Sequence, residues 1–278
     1  MIVVHGEGGH TSYNLVRTVA NCLVEEKIPH NYYMVTNPEM IKNALVAKQL
    51  NRKYIYFAYD SEGLIAEGHG YNEARILDSK TPETIIVVSR IAYKFYKRMG
   101  FNTYLLRLGY DDYVYKKYDI ERKRELGFIG TMDIVRDSVF YHRYVMCKDI
   151  NSFMKQYIEG SDFLLTNNVP YLQLNKFYSG TILGLNDVIR DLNMRCFEIP
   201  SNGAFMLVNE QILECDYPLK PNTHYMVYST TNHLMSIIKE ILEDRDKVIG
   251  MGEKAQKVIM KYPISKNIKK MIDVLGLR

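Results

Sequence analysis

Residues 181–208, TILGLNDVIRDLNMRCFEIPSNGAFMLV, decide the architecture. Both ends are short apolar runs, Thr181–Leu185 and Phe205–Val208, with the length and composition of strands covered on two faces. Asn186–Phe197 between them reads as a helix, and Gly203 opens the turn into the second strand. A strand, a helix and a second strand in that order form one unit of a mostly parallel sheet wrapped by helices.

The same alternation extends in both directions. Upstream, strands are predicted at Leu126–Ile129 and Phe163–Leu165, with helices at Val135–Val145 and Asn175–Ser179; downstream come a strand at Tyr225–Tyr228 and helices at 231–243, 246–260 and 264–275. A separate series opens the chain: strand Ile2–His5, helix Ser12–Glu26, strand Asn31–Thr36, helix Met40–Leu50, strands Tyr54–Tyr59 and Thr84–Val88, and a helix Ile91–Met99 stopped by Gly100. The polar, charged run 111–125 has neither helical nor strand period and is the expected linker. The expected division is 1–110, linker 111–125, 126–262, and a last helix, 263–278, able to pack back on the N-terminal domain.

With 278 residues the chain is long enough for two modest α/β domains, and 47% hydrophobic with 24% charged residues excludes a disordered, collagenous or coiled-coil chain. The start, MIVVHGEGG, has no basic leader, and no apolar run approaches the ~20 residues that span a bilayer, so a cytoplasmic protein is expected. Cys22, Cys147, Cys196 and Cys215 are scattered without metal spacing and are expected as buried free thiols. Net charge is +4, but Lys94, Lys97, Arg98, the run Lys116–Arg124, and Lys266, Lys269 and Lys270 form basic clusters. These suit phosphate-bearing ligands or peripheral contact with an anionic membrane, and are equally what solvated helix faces look like. Neither aromatic-basic strings nor zinc-finger spacing points to nucleic acid.

The turn after the first strand, His5-Gly6-Glu7-Gly8-Gly9-His10, lets backbone N–H groups approach a ligand. Thr11 stands where the dinucleotide fingerprint needs glycine, which disfavours a nicotinamide enzyme. His10 at a helix start is a candidate base, or else a helix cap, and Glu7 is a second candidate base. The segment resembles the G-x-G-G-H loop of the GT-B transferases that include the muramyl-lipid N-acetylglucosaminyltransferase, carried here by Gly6, Gly8, Gly9 and His10. In that group the loop faces donor and acceptor.

Residues 85–275 resemble the CgeB-like and group-1 glycosyltransferases in three ordered places. Leu106-Arg107-Leu108-Gly109-Tyr110-Asp111 is similar to the family's L-P-x-G-x-D, with Arg107 in place of proline. Gly127-Phe128-Ile129-Gly130-Thr131, followed by Arg136, resembles its G-F-V-G…R. An arginine there either pairs with a diphosphate through its fork of donors or is a solvated helix residue. Asn186, Arg195, Phe197, Glu198, Gly203 and Ala204 match its L-N…R-x-F-E-x-x-x-x-G-A, in which the glutamate binds the donor ribose; the alternative for Glu198 is a helix-end surface glutamate. Arg190 stands where retaining group-1 enzymes often carry another glutamate, and CgeB-like sequences commonly lack it. Asp244-Arg245-Asp246 reads as solvated charge rather than a metal motif, so no metal or cofactor is expected; Arg136 or Lys176 would meet the diphosphate charge instead.

The resemblance implies an α/β GT-B fold, two Rossmann-like domains with parallel sheets facing across a cleft, and transfer of a sugar from a UDP- or GDP-sugar. The acceptor, whether protein, lipid or glycan, is left open. A sugar-nucleotide 2-epimerase and a non-catalytic nucleotide-sugar binding protein are the alternatives on the same scaffold.

Overall fold

The computed structural model describes residues 2–4, 10–28, 33–35, 54–58, 82–116, 118–132, 134–135, 140–157, 162–166, 169–189 and 191–277. The chain divides into two compact units, Met1–Tyr113 with Ile264–Arg278, and Val114–Pro263.

The first unit holds the strands β1 (Ile2–Val4), β2 (Tyr33–Val35), β3 (Tyr54–Ala58), β4 (Thr84–Val87) and β5 (Thr103–Leu105), paired in that order and all parallel. β5 is not among the strands expected from the sequence. Helix α1 (His10–Glu25) follows β1, and α2 (Arg90–Arg98) follows β4. Ser89 starts α2 by accepting from the N–H groups of Ile91 (3.1 Å) and Ala92 (3.3 Å). Gly100, at φ +87°, ends it in the left-handed region. The core packs Tyr54, Tyr56, Ile85 and Val87 of the sheet against Ala92 and Tyr96 of α2. The expected helix Met40–Leu50 lies outside the described residues.

The second unit contains β6 (Arg124–Ile129), α3 (Tyr141–Tyr157), β7 (Phe163–Thr166), α4 (Leu174–Ser179), β8 (Thr181–Asn186), α5 (Arg195–Ser201), β9 (Phe205–Asn209), β10 (Tyr225–Tyr228), α6 (Thr231–Leu242) and α7 (Arg245–Ile259). Its sheet is wholly parallel in the order β10-β9-β8-β6-β7. The chain runs from β6 outward to β7, then crosses back to β8 on the other side of β6. That reversal opens a crevice at the carboxyl ends of β6 and β8, where doubly wound sheets bind ligands. Leu126, Phe128, Leu183, Leu185 and Leu207 from the strands pack with Met146 and Ile150 of α3 and Leu234 and Ile238 of α6.

After the second unit, α8 (Ile264–Leu275) returns to the first and lies against α1. Asp112 caps it, accepting from Ser265 N at 3.1 Å, while Lys269 pairs with Glu26 at 3.2 Å. Asp111 is buried and accepts from Thr18 Oγ1 of α1 at 2.6 Å.

Two expectations change. The run 111–125 contains the division between the two units, after Tyr113, but is not patternless: β6 begins at Arg124 and some of its polar groups are bonded internally, while Lys116, Glu121 and Lys123 stay exposed. Arg122 donates to the carbonyls of Tyr178 (3.2 Å), Thr181 (2.9 Å) and Asn202 (2.7 Å). Glu125, buried, pairs with Arg245 at 2.8 Å. The helix expected at Asn186–Phe197 is confined to α5, since Asn186 closes β8 and Asn193 bonds side chain to side chain with it (3.1 and 3.2 Å) rather than joining a helix. Cys22, Cys147 and Cys196 are buried free thiols and Cys215 is half-buried.

Helix α7 approaches the sheet through Gly252. A Cβ there would lie 3.1 Å from Phe205 N and 3.2 Å from the Ala204 carbonyl carbon, and closer still to the Gly203 oxygen, all of them backbone atoms. Gly252→Ala is therefore expected to cost about 1–3 kcal/mol as overpacking, read as a lowered melting temperature. An unchanged melt would show that α7 shifts freely on the sheet.

Candidate functional site

The crevice is lined by residues at the strand ends: Gly130 and Thr131 after β6, Asp187 after β8, and Asn209 closing β9. Asp187 is the hub. Its Oδ2 accepts from His142 Nε2 (2.7 Å) and Arg143 Nε (2.8 Å), and its Oδ1 from Asn209 Nδ2 (3.0 Å). Its carbonyl takes Arg143 Nη2 (2.7 Å) and Asn193 Nδ2 (3.3 Å). Burial alone would raise the Asp187 carboxyl; the His142 hydrogen bond and the Arg143 guanidinium outweigh it and hold the group below the usual carboxylate range. An ionised carboxylate only accepts, so His142 Nε2 carries the hydrogen. Arg143 is buried, whereas the His142 side chain, one residue earlier on α3, is 53% exposed. A further Arg143 bond, from Nη1 to the Thr131 carbonyl at 3.4 Å, ties the cluster to the end of β6.

Glu198 stands in the first turn of α5, buried and ion-paired with Arg195. Arg195 Nε donates to the Ile129 carbonyl at 3.0 Å, fixing the start of α5 to the end of β6 immediately before Gly130. Asn193 Oδ1 receives the Cys196 N–H at 3.2 Å. Arg195 and Glu198 thus stand beside the end of β6 just before Gly130, while Asn186, at the end of β8, bonds to Asn193 and Cys196.

Gly203 and Ala204 do not join them. β9 begins at Phe205, level with Leu183 and, through it, with Leu126 of β6. Leu126 lies four residues short of Gly130, roughly 13 Å along a strand at ~3.3 Å per residue. Gly203 sits at the opposite, entering edge, at φ +74° against the Arg122 guanidinium, and Ala204 is fully buried. Their place corrects the donor-binding expectation: the glycine is required by a tight turn under Arg122 and α7, not by a ligand. Gly130 itself has the Phe128 ring 2.8 Å from where a Cβ would stand.

Glu7, Gly6, Gly8, Gly9, Arg136 and Arg190 lie outside the described residues, and of His10 only the backbone, opening α1, is described. Lys176 is exposed on α4, which ends at the entering edge where β8 begins. Asp244 caps α7 by accepting from Lys247 N at 3.1 Å, and Arg245 is held by Glu125. Among the described residues no group of three or more His, Cys, Asp or Glu is placed to hold a metal ion.

Residues 146–273 match the family described as glycosyl transferase-like, a span that includes Asn186, Asp187, Arg195 and Glu198. No curated protein sequence matches the chain. Among solved structures, HepE of Anabaena in complex with UDP-glucose is similar at a TM-score of 0.63 and 11% identity, over 93% of this chain and 81% of that one. Sucrose-phosphate synthase of Thermosynechococcus elongatus gives 0.60 and 11%, over 94% and 77%. S. aureus TarM gives 0.60 and 10%, over 95% and 59%. The likeness to these structures shows the α/β GT-B fold, and residues 146–273 match a glycosyl transferase-like family.

Proposed function

We propose that this protein is a glycosyltransferase that moves a sugar from a nucleotide-diphosphate donor, foremost a UDP-sugar, to a protein, lipid or glycan acceptor without a metal ion. The reading rests on Glu198: a buried carboxylate, anchored through Arg195 to the backbone beside Gly130, at the carboxyl edge where the strand order reverses. A carboxylate accepts two hydrogen bonds at once from the vicinal hydroxyls of ribose. With ribose at Glu198, the rest of the donor runs along Gly130 and Thr131, whose backbone it meets. Arg136 and the glycine loop with His10 supply charge and a base from the positions the family resemblance gives them, His10 on the acceptor side. Similar structures solved with UDP-glucose and UDP favour uridine over guanosine donors.

The reaction belongs to the cytoplasm in this reading; among the described residues no helix is long and apolar enough to cross a membrane. A thermal-shift screen over UDP-, GDP-, ADP- and CMP-sugars tests the donor. A UDP-sugar at a hundred times its Kd is expected to stabilise the protein by about 2.7 kcal/mol. No shift with any of the four overturns the proposal. Nucleotide released only when an acceptor is supplied separates transfer from epimerisation.

A further inference from the structure

We infer that the outward face of α2 docks the first unit on an anionic lipid bilayer; the inference stands apart from the donor reading, which rests on Glu198 of the second unit. Helix α2 carries Arg90, Lys94, Lys97 and Arg98 and no acidic residue. Ala92 and Tyr96 turn into the core. Ile91, Lys94 and Arg98, spaced i, i+3 and i+7, share the opposite side, with Lys97 beside them. All four are exposed, Ile91 at 36%.

The charge on this face is not answered from within the protein. Among the described residues none of Lys94, Lys97 and Arg98 is ion-paired, whereas Lys269 on α8 is met by Glu26, Lys123 by Glu121 and Arg245 by Glu125. Lys97 Nζ lies 5.9 Å over the Tyr93 ring, a contact that holds the ammonium without neutralising it. Lys97 and Arg98 stand in the last turn, where the helix dipole favours cations. Lys94 lies before that turn and is three and four residues from the other two, spacings at which like charges repel. Helix formation therefore does not account for Lys94, and a surface of phosphates does. A bilayer of anionic headgroups supplies the counter-charge over a broad area, and the exposed Ile91 among the cations meets the apolar boundary beneath the headgroups, which a soluble polyanion lacks.

The test is cosedimentation of the full chain with vesicles of phosphatidylcholine alone and of phosphatidylcholine mixed with phosphatidylglycerol. Binding is expected to the mixed vesicles only, and it should fall as salt is raised. Lys94→Gln, Lys97→Gln and Arg98→Gln together are expected to weaken it about 100-fold, roughly fivefold for each charge removed. The control removes the same charge elsewhere: Lys254→Gln, Lys257→Gln and Lys261→Gln, on and just after α7, where all three lysines are exposed and the helix also carries Asp246 and Glu253. It should bind the mixed vesicles as the wild type does. A parallel measurement on heparin separates a soluble polyanion from a lipid surface. Equal binding to the two kinds of vesicle, no binding to the mixed ones, a loss in the control equal to that in the α2 variant, or binding to heparin alone each overturns the inference and leaves the donor reading untouched.

Discussion

Glu198→Gln is expected to lower kcat/KM for the nucleotide-sugar donor by about 100-fold or more. The carboxylate offers two acceptor oxygens to a vicinal diol, whereas the amide offers one acceptor and one donor, and hydrogen bonds to a charged group are worth about 1.5–3 kcal/mol each. The substitution also removes the charge opposite Arg195, whose guanidinium keeps the Ile129 carbonyl at 3.0 Å but loses its ion-pair partner. Loss of ribose binding must therefore be separated from local loosening. Uridine diphosphate and its 2′,3′-dideoxy analogue make the separation: the wild type should prefer the ribonucleotide, and Glu198→Gln should bind both alike. A variant that retained the ribose preference would remove Glu198 from the site.

The largest effect on stability is expected at Arg143. Its guanidinium is buried and holds the Asp187 carboxylate, the Asp187 carbonyl and the Thr131 carbonyl together. Arg143→Ala leaves the Asp187 carboxylate, 5% exposed, with the His142 and Asn209 hydrogen bonds, and breaking a buried pair from one side costs about 3–5 kcal/mol. At ~2–4 °C per kcal/mol for a unit of this size, the melting temperature of the second unit should fall by roughly 6–20 °C. Replacing both partners, as Arg143→Met with Asp187→Leu, should recover part of the loss, because no buried charge is then left alone. A single variant that melted within about 2 °C of the wild type would contradict this account of the crevice.

The alternation of apolar runs was enough to place the strands of both sheets, apart from the three residues of β5. The block from Asn186 to Glu198 was legible because its spacing survives in one short stretch. What escaped was the Asp187 cluster. Arg143 and Asp187 are 44 residues apart in the chain, and nothing in a one-dimensional pattern brings the first turn of one helix to the end of a strand three elements later. The only local trace was an acid directly after the apolar run of β8. Gly203 misled for the opposite reason. Its expected donor role rested only on sharing a motif block with Glu198, while its positive φ and the Arg122 guanidinium against it belong to the turn at the far edge. Within 111–125 a sequence does not distinguish Arg122, which finds three carbonyls, from its solvated neighbours Glu121 and Lys123.

The return of α8 to α1 has a consequence for biosynthesis. Val114–Pro263 is continuous and can collapse as soon as it clears the ribosome, but once Met1–Tyr113 has been made, the face of α1 that α8 covers must wait for about 150 more residues to be translated. At ~5–20 residues per second that interval is about 8–30 s, during which the earlier-made half presents an uncovered apolar surface. The nascent chain is thus most in need of a chaperone after its second half has already folded.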